Sequence, residues 1–307
     1  MTNLPGLVYQ TIPGFEDHLV KELETVNVLP SGQENWGSLV YSPVKTGPVF
    51  WHQNIWLNPV KIEFDSINQA ASSLREMGRN WAPSLFTQYR RGVLIKSKLP
   101  PLPDKKRAFP WLLPETPMGA FTLLDSNTLI ASAECSSPFP NGKIEFPEDR
   151  EGPPSRAYLK LWEALTLCRK WPATGQKCLD AGASPGGWTW ALSKLGADVI
   201  AIDRSPLDMK ISGLENVKYI KHDAFTLQPS DIGKLDWLFC DVICYPPRLY
   251  EWIEKWLVSG LCGNFICTIK MQGPADFETT GRFAKIPDSK VVHLWHNKHE
   301  LTWIKIS

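Results

Sequence analysis

The chain has no excess of charge of either sign: 33 lysines and arginines face 32 aspartates and glutamates, a net charge of +1. Steering of a whole molecule toward a polyanion needs such an excess, so any nucleic-acid site must be a local patch. A run of about 18 apolar residues is also lacking, which argues against a helical membrane span. The start MTNLPGLVYQ has no basic stretch followed by an apolar core of about 7 to 15 residues, so no secretory signal is read and a cytoplasmic protein is expected. The seven cysteines are odd in number and form no CxxC pair, which speaks against a disulfide framework. Cys240 and Cys244 bracket Asp241, but they lack His and Cys partners at zinc spacing, and no metal is expected. Nothing calls for an obligate protein partner, so a monomer is the expected state.

What is present is an ordinary globular composition with 14 tryptophans, most of them expected in the core. In GLVYQTIPGFEDHLVKELETV a strand, a turn at Pro13 and Gly14 and a helix are read; Phe15, Leu19 and Leu23 share one face, while Glu16, Asp17, Lys21 and Glu22 stay wet. WGSLVYSP and PVFWHQNIW then read as strands and SINQAASSLREMGRNW as a second helix, so residues 1–80 are expected to form a ferredoxin-like α+β domain. Residues 81–150 are proline-rich, with strands expected at RGVLIKSK, GAFTLLD and NTLIASAE. This stretch holds the one dense basic run, with Arg90, Arg91, Lys96, Lys98, Lys105, Lys106 and Arg107 against Asp104. It is either a solvated edge whose lysines discourage sheet aggregation or a phosphate-contacting patch for RNA.

From residue 151 to 307 the pattern changes. SRAYLKLWEALTLCRKW reads as a helix with Ser155 placed to cap it. KCLDAGA, ADVIAID, NVKYIKHD, KLDWLFCDV and NFICTIKM follow as apolar strands alternating with helices, which implies a parallel sheet covered on both faces. VVHLWHN and ELTWIKI close the chain as an antiparallel hairpin.

The loop GASPGGW joins the first of these strands to a helix, at the carboxyl end where open α/β sheets bind ligands. Gly182 permits a sharp turn, Gly186 and Gly187 permit close approach of a ligand to bare backbone, and the helix N-terminus suits an anion. Asp203, at the next strand end, is placed to accept from two ribose hydroxyls, so an adenosine-containing ligand is expected. The dinucleotide spacing GxGxxG is not met, because Ser184 stands where its second glycine would be. S-adenosylmethionine fits better, its carboxylate meeting the loop; NAD and a purely structural turn stay open as alternatives. Asp223 ends the third strand, where it could accept from the adenine amino group. Asp241 ends the fourth, beside the place for a reactive methyl.

GASPGGWTWAL, AIDRSPLDM, KHDAF, FCDV, TIKMQG and KHELTWI resemble, in this order, the blocks of the FtsJ-like ribosomal RNA 2′-O-ribose methyltransferases. PSRAYLKLWEAL resembles that family's Ser-Arg-Ala-x-x-Lys-Leu helix, so the resemblance covers residues 153–307. SSPFPNGKIEFPEDREGPP and PGFEDHLVKEL are similar to the branch that acts on a cytidine of 23S ribosomal RNA, where a ferredoxin-like domain and a THUMP RNA-binding domain come first. The region before Pro153 is short for both, so residues 81–150 are expected to be a THUMP-like or reduced RNA-binding region.

The resemblance implies a Rossmann-like class I methyltransferase fold, with a mostly parallel seven-stranded sheet and an antiparallel C-terminal hairpin. It implies S-adenosylmethionine held by Gly182, Ser184, Pro185, Gly186, Gly187, Trp188, Asp203, Asp223 and Asp241, with 23S ribosomal RNA as partner. Its Lys-Asp-Lys-Glu tetrad falls on Lys160, Asp241, Lys270 and Glu300. In that scheme Lys270 assists deprotonation, Lys160 and Asp241 orient the hydroxyl, and Glu300 holds Lys270 in place. Two rivals remain. DVICYPP is loosely similar to the Asn/Asp-Pro-Pro-aromatic motif of amino-group methyltransferases, but its order is wrong. An inactive RNA-binding or ribosome-assembly protein on a methyltransferase fold is the other.

Overall fold

The computed structural model describes residues 1–26, 34–45, 47–103, 106–113 and 115–307. They divide into two compact units, one of residues 1–106 and 113–145, the other of 107–112 and 146–307. Among the described residues no helix is long and apolar enough to cross a membrane.

The first unit contains β1 (Thr2–Asn3), β2 (Leu7–Gln10), α1 (Glu16–Thr25), β3 (Glu34–Trp36), β4 (Leu39–Ser42), β5 (Asn54–Trp56) and β6 (Val60–Glu63). It continues with α2 (Ile67–Met77), β7 (Trp81–Pro83), α3 (Tyr89–Ser97), β8 (Gly119–Leu123) and β9 (Thr128–Ser132). One sheet runs β3-β4-β2-β5 and the other β1-β6-β9-β8-β7. The border expected at 80/81 therefore runs through a sheet, because β6 pairs with β9 from Val60↔Ala131 to Glu63↔Thr128. The ferredoxin-like expectation for residues 1–80 needs the same correction. A ferredoxin-like sheet has two helices, whereas α2 packs Ala70, Ala71 and Leu74 with Ile62, Phe121 and Leu129 of the other sheet.

Two further readings change here. Glu22, expected in water, is buried and its carboxylate accepts from the backbone N–H groups of Phe50 and Trp51 at 2.9 and 2.8 Å. RGVLIKSK is helical rather than extended: it forms most of α3, with Gly92 and Ile95 buried, Arg91 and Lys96 half-buried, and Val93 and Leu94 exposed. The spacing of three between Gly92 and Ile95 is also a helical period, and Gly92 sits where a Cβ would strike Leu85.

The second unit contains α4 (Tyr158–Cys168), β10 (Lys177–Ala181), α5 (Gly187–Lys194), β11 (Asp198–Asp203), α6 (Met209–Ser212), β12 (Val217–Lys221) and α7 (Pro229–Ile232). It ends with β13 (Trp237–Cys240), α8 (Pro246–Ser259), β14 (Asn264–Lys270), α9 (Phe277–Ala284), β15 (Ser289–Val292) and β16 (Glu300–Lys305). The seven-stranded sheet has the order β12-β11-β10-β13-β14-β16-β15. Strands β10 to β14 are parallel to their neighbours, and β16 alone is reversed. It lies between β14 and β15, so the C-terminal hairpin expected from sequence forms the edge of the sheet, with its second strand inside and its first outermost. The uninterrupted burial of Trp237–Cys240 in β13 is what a central parallel strand covered on both faces requires.

Two local expectations fail. Ser155 does not cap α4, whose N-cap is Ala157 without a side-chain bond. No helix was expected over 277–284, yet α9 is there, opened by Asp276, which accepts from the Thr279 N–H at 2.8 Å.

Candidate functional site

The strand order turns outward on both sides of β10, which makes the space past its carboxyl end a switch point for ligand binding. A cavity of about 280 Å³ opens there. Its walls come from five consecutive strand ends: Gly182 and Ser184, Asp203, Asp223, Asp241 and Lys270. Chain segments far apart in sequence thus converge because parallel strands all present their carboxyl ends on one rim.

The glycine loop is held from outside. Asp203 accepts from the Ser184 N–H at 3.0 Å through one carboxylate oxygen and from the Ser205 N–H at 2.8 Å through the other. Each oxygen keeps a second lone pair for a ligand hydroxyl. Asp223 caps a short 3-10 turn through the Phe225 N–H at 3.0 Å, and its other oxygen lies 3.4 Å from Arg248. Arg248 also stacks over the Phe225 ring at 4.7 Å. This cavity-lining arginine was not singled out in the sequence, where PPRLY reads only as a helix start.

Pro185, Gly186, Gly187 and Trp188 do not line the cavity. A Cβ on Gly186, whose φ is +116°, would meet Ile211 at 3.0 Å, and one on Gly187 would strike Ser155 Oγ. Both glycines thus allow close packing around the start of α5. Trp188 is buried, donates from Nε1 to Ala157 O at 2.9 Å and places its ring 5.6 Å from Lys160 Nζ. Gly182 combines both needs: its φ is +77°, and a Cβ would press on Val242 at 2.7 Å while the residue itself faces the cavity.

Lys160, Asp241, Lys270 and Glu300 form one bonded chain. Lys160 Nζ lies 2.9 Å from Asp241 Oδ1 and 2.8 Å from Glu300 Oε1, and Lys270 Nζ lies 3.1 Å from Asp241 Oδ1. Lys270 also donates to the Asp241 backbone carbonyl at 2.7 Å. Glu300 therefore pairs with Lys160, which corrects the expectation that it holds Lys270. Burial would lower the Lys160 pKa, but Asp241 and Glu300 outweigh it and hold the ammonium above its ordinary value. Burial would likewise raise Asp241, but Lys160 and then Lys270 keep it below the usual carboxylate range. Lys160 is thus a fixed cation, 7% exposed, behind an ionised Asp241. Lys270 and Asp241 reach the cavity wall.

Behind this chain stand two buried acids that the sequence reading passed over. Glu163, on the same helix as Lys160, accepts from the N–H groups of Trp295 and His296 at 2.7 and 3.0 Å and bonds His296 Nδ1 at 2.6 Å. It ties α4 to the turn that leads into Glu300. The visible signal was an acid inside the apolar run LKLWEALTL. Asp180, at the base of the glycine loop, accepts from Thr189 Oγ1 at 2.6 Å, and burial pushes its carboxyl up to about 7.

The basic run does not act as one surface. Lys96 donates to Trp81 O at 2.6 Å, Lys106 pairs with Glu145 at 2.8 Å, and Arg91 lies over Phe64 at 5.4 Å. Arg90 and Lys98 are exposed on or beside α3, Arg107 belongs to the second unit, and Lys105 lies outside the described residues. Cys240 and Cys244 are buried free thiols, and no metal-holding group of His, Cys, Asp or Glu occurs among the described residues.

Residues 153–262 match the FtsJ-like methyltransferase family. The second unit carries an FtsJ-like methyltransferase domain. The chain is 32% identical over 177 residues to ribosomal RNA large subunit methyltransferase M of Aggregatibacter aphrophilus, covering 52% of this chain and 48% of that protein. It is 35% identical over 150 residues to the protein of the same name from Alkalilimnicola ehrlichii, covering 46% and 40%. The chain thus spans about half the length of the curated relatives it matches. Among solved structures, TrmN of Thermus thermophilus aligns with 98% of this chain and 99% of its own at 15% identity, with a TM-score of 0.37 that is too low to bear on fold or function.

Proposed function

We propose that this protein transfers the methyl group of S-adenosylmethionine to a ribose 2′-hydroxyl of RNA, with 23S ribosomal RNA as the substrate. The observation that carries this reading is the bonded chain Lys160–Asp241–Lys270 with Glu300 behind it, opening on a cavity rimmed by acids. The residues suit the cofactor: Asp203 and Asp223 offer acceptors for a ribose and an amino group, and Asp241 offers a counter-charge to a sulfonium. S-adenosylmethionine supplies a methyl whose bond to sulfur breaks as the bond to the ribose oxygen forms, leaving a neutral thioether and one proton to remove.

Asp241 and Lys270, at the cavity wall, orient the hydroxyl, and such positioning is worth roughly 7 to 11 kcal/mol. Lys160 is bound by two carboxylates and Lys270 by one, so proton removal, worth about a hundred- to ten-thousandfold in rate, falls to Lys270, which must first give up its own proton. Glu300 keeps Lys160 in place, and Lys160 keeps Asp241 ionised. The exposed Arg90 and Lys98 of the first unit are candidate phosphate contacts for the RNA, and the reaction takes place in the cytoplasm.

Unmethylated 23S ribosomal RNA, S-adenosylmethionine and the purified protein provide the test, with ribose-methylation mapping of the product. Lys270→Ala is expected to lose transfer while calorimetric binding of S-adenosylmethionine stays close to wild type. Wild-type turnover by that variant, or methylation on a base, would overturn the assignment. RNA binding without any transfer by the wild type would support the assembly-protein reading instead.

A further inference from the structure

The loop that follows Asp241 exposes two large side chains beside the site. Ile243 is 72% exposed and Tyr245 is 68% exposed, while Cys244 between them is buried. Single exposed apolar residues need no explanation. These two alternate outward within four residues of Asp241, and Ile243 itself lines the cavity with Lys270 and Arg248.

The loop is also held in shape. At its start the Asp241 N–H donates to Ala181 O at 3.0 Å and the Asp241 carbonyl accepts from Lys270 Nζ at 2.7 Å. At its end Pro246 and Pro247 fix the backbone as the first turn of α8. Tyr245 occupies the N-cap of that helix without a side-chain capping bond. The two prolines have no N–H to cap, and the Arg248 N–H already donates to Tyr245 O at 3.1 Å, so the helix start needs no side chain from Tyr245. Its aromatic side chain is left to solvent, two residues beyond the cavity-lining Ile243.

We propose that Ile243 and Tyr245 form a stacking ridge for an unpaired nucleobase of the RNA, next to the ribose that is methylated. The inference rests on the proposed function and specifies how that site takes its substrate. A 2′-hydroxyl within a stacked duplex is not presented to a recessed methyl donor, so the target nucleotide must be splayed out of its stack, and stacking on an aromatic side chain replaces what it loses. The ridge is apolar, continuous with the cavity and flanked by Arg248, whose charge suits the adjoining phosphate. Since every base has a π-face, the ridge supplies hold and orientation rather than sequence choice.

The test compares wild type, Tyr245→Ala, Tyr245→Phe and Ile243→Ala in methyl transfer to unmodified 23S ribosomal RNA, with binding of S-adenosylmethionine and of the same RNA measured separately. Loss of one stacked base corresponds to roughly a five- to hundredfold weaker hold. Tyr245→Ala should raise KM for RNA by that factor and Ile243→Ala by less, with S-adenosylmethionine affinity unchanged. Tyr245→Phe keeps the ring and should rescue KM. A Tyr245→Ala KM within twofold of wild type overturns the ridge, as does loss of S-adenosylmethionine binding in that variant or capture of a protein partner by the ridge with RNA affinity intact. If the wild type transfers no methyl, the functional reading fails, and the direct RNA-binding comparison still decides the ridge.

Discussion

Lys270 and Glu300 stand directly opposite each other in the register of β14 and β16, yet the Glu300 carboxylate bonds Lys160 on α4, 2.8 Å away. The strand pairing places the two residues; the charges are shared otherwise. One acid, Asp241, serves both lysines, while Glu300 serves only the deeper one.

This division predicts the outcome of double-mutant cycles on thermal stability. Glu300→Gln and Lys160→Met should be strongly coupled, within the roughly 0.5 to 3 kcal/mol found for residues of one network, whereas Glu300→Gln and Lys270→Met, linked only through Lys160 and Asp241, should be more weakly coupled. Coupling of equal size in both cycles would contradict the observed pairing.

Glu163 closes two backbone N–H groups and a histidine nitrogen in the turn before Glu300. Replacing it with Ala removes the acceptor from these half-buried groups, at up to about 1 to 3 kcal/mol each. Glu163→Ala is expected to lower the melting temperature and to reduce kcat for methyl transfer by misplacing Glu300, with S-adenosylmethionine affinity little changed. Equal loss of cofactor binding would show that the whole unit, not the turn, depends on Glu163.

Gly187 gives a test of packing against ligand approach. Gly187→Ala should destabilise the second unit, because the new Cβ strikes Ser155 Oγ, and Ser155→Gly in the same chain should restore both stability and S-adenosylmethionine binding. If stability returns without binding, the glycine serves the ligand after all.

Asp180 sets a pH dependence. Its carboxyl is raised from 3.8 to about 7 by burial, so the folded chain holds this proton more tightly than the unfolded chain does. The contribution to stability is complete below the unfolded value and is lost as pH rises toward about 7. Asp180→Asn should flatten the melting temperature over that window. Glu22, pushed the same way to about 7 by burial in the first unit, should leave part of the slope in place. An unaltered slope in Asp180→Asn would mean that the carboxyl ionises as in water.

The sequence was most informative where one residue type answers to one geometry. Acids at the ends of apolar strands, Asp203, Asp223 and Asp241, had to meet on one rim once the strands were parallel, and they do. It was least informative where the same residue suits two uses. Gly186 and Gly187 look alike whether a ligand or a neighbouring helix needs the room. Glu22 and Glu163 look like solvated helix acids until their backbone partners, 28 and 132 residues away, are known. RGVLIKSK satisfies both a strand and a helix period, and only the leucine behind Gly92 separates them.

The reversed strand β16 sits between β14 and β15, and it brings Glu300 to a lysine 140 residues earlier in the chain. The glycine loop, Asp203 and Asp241 all stand on the parallel part of the sheet, β10 to β14. The second carboxylate on Lys160 is instead the contribution of the one reversed strand, so the environment of that lysine depends on a single late segment of the chain.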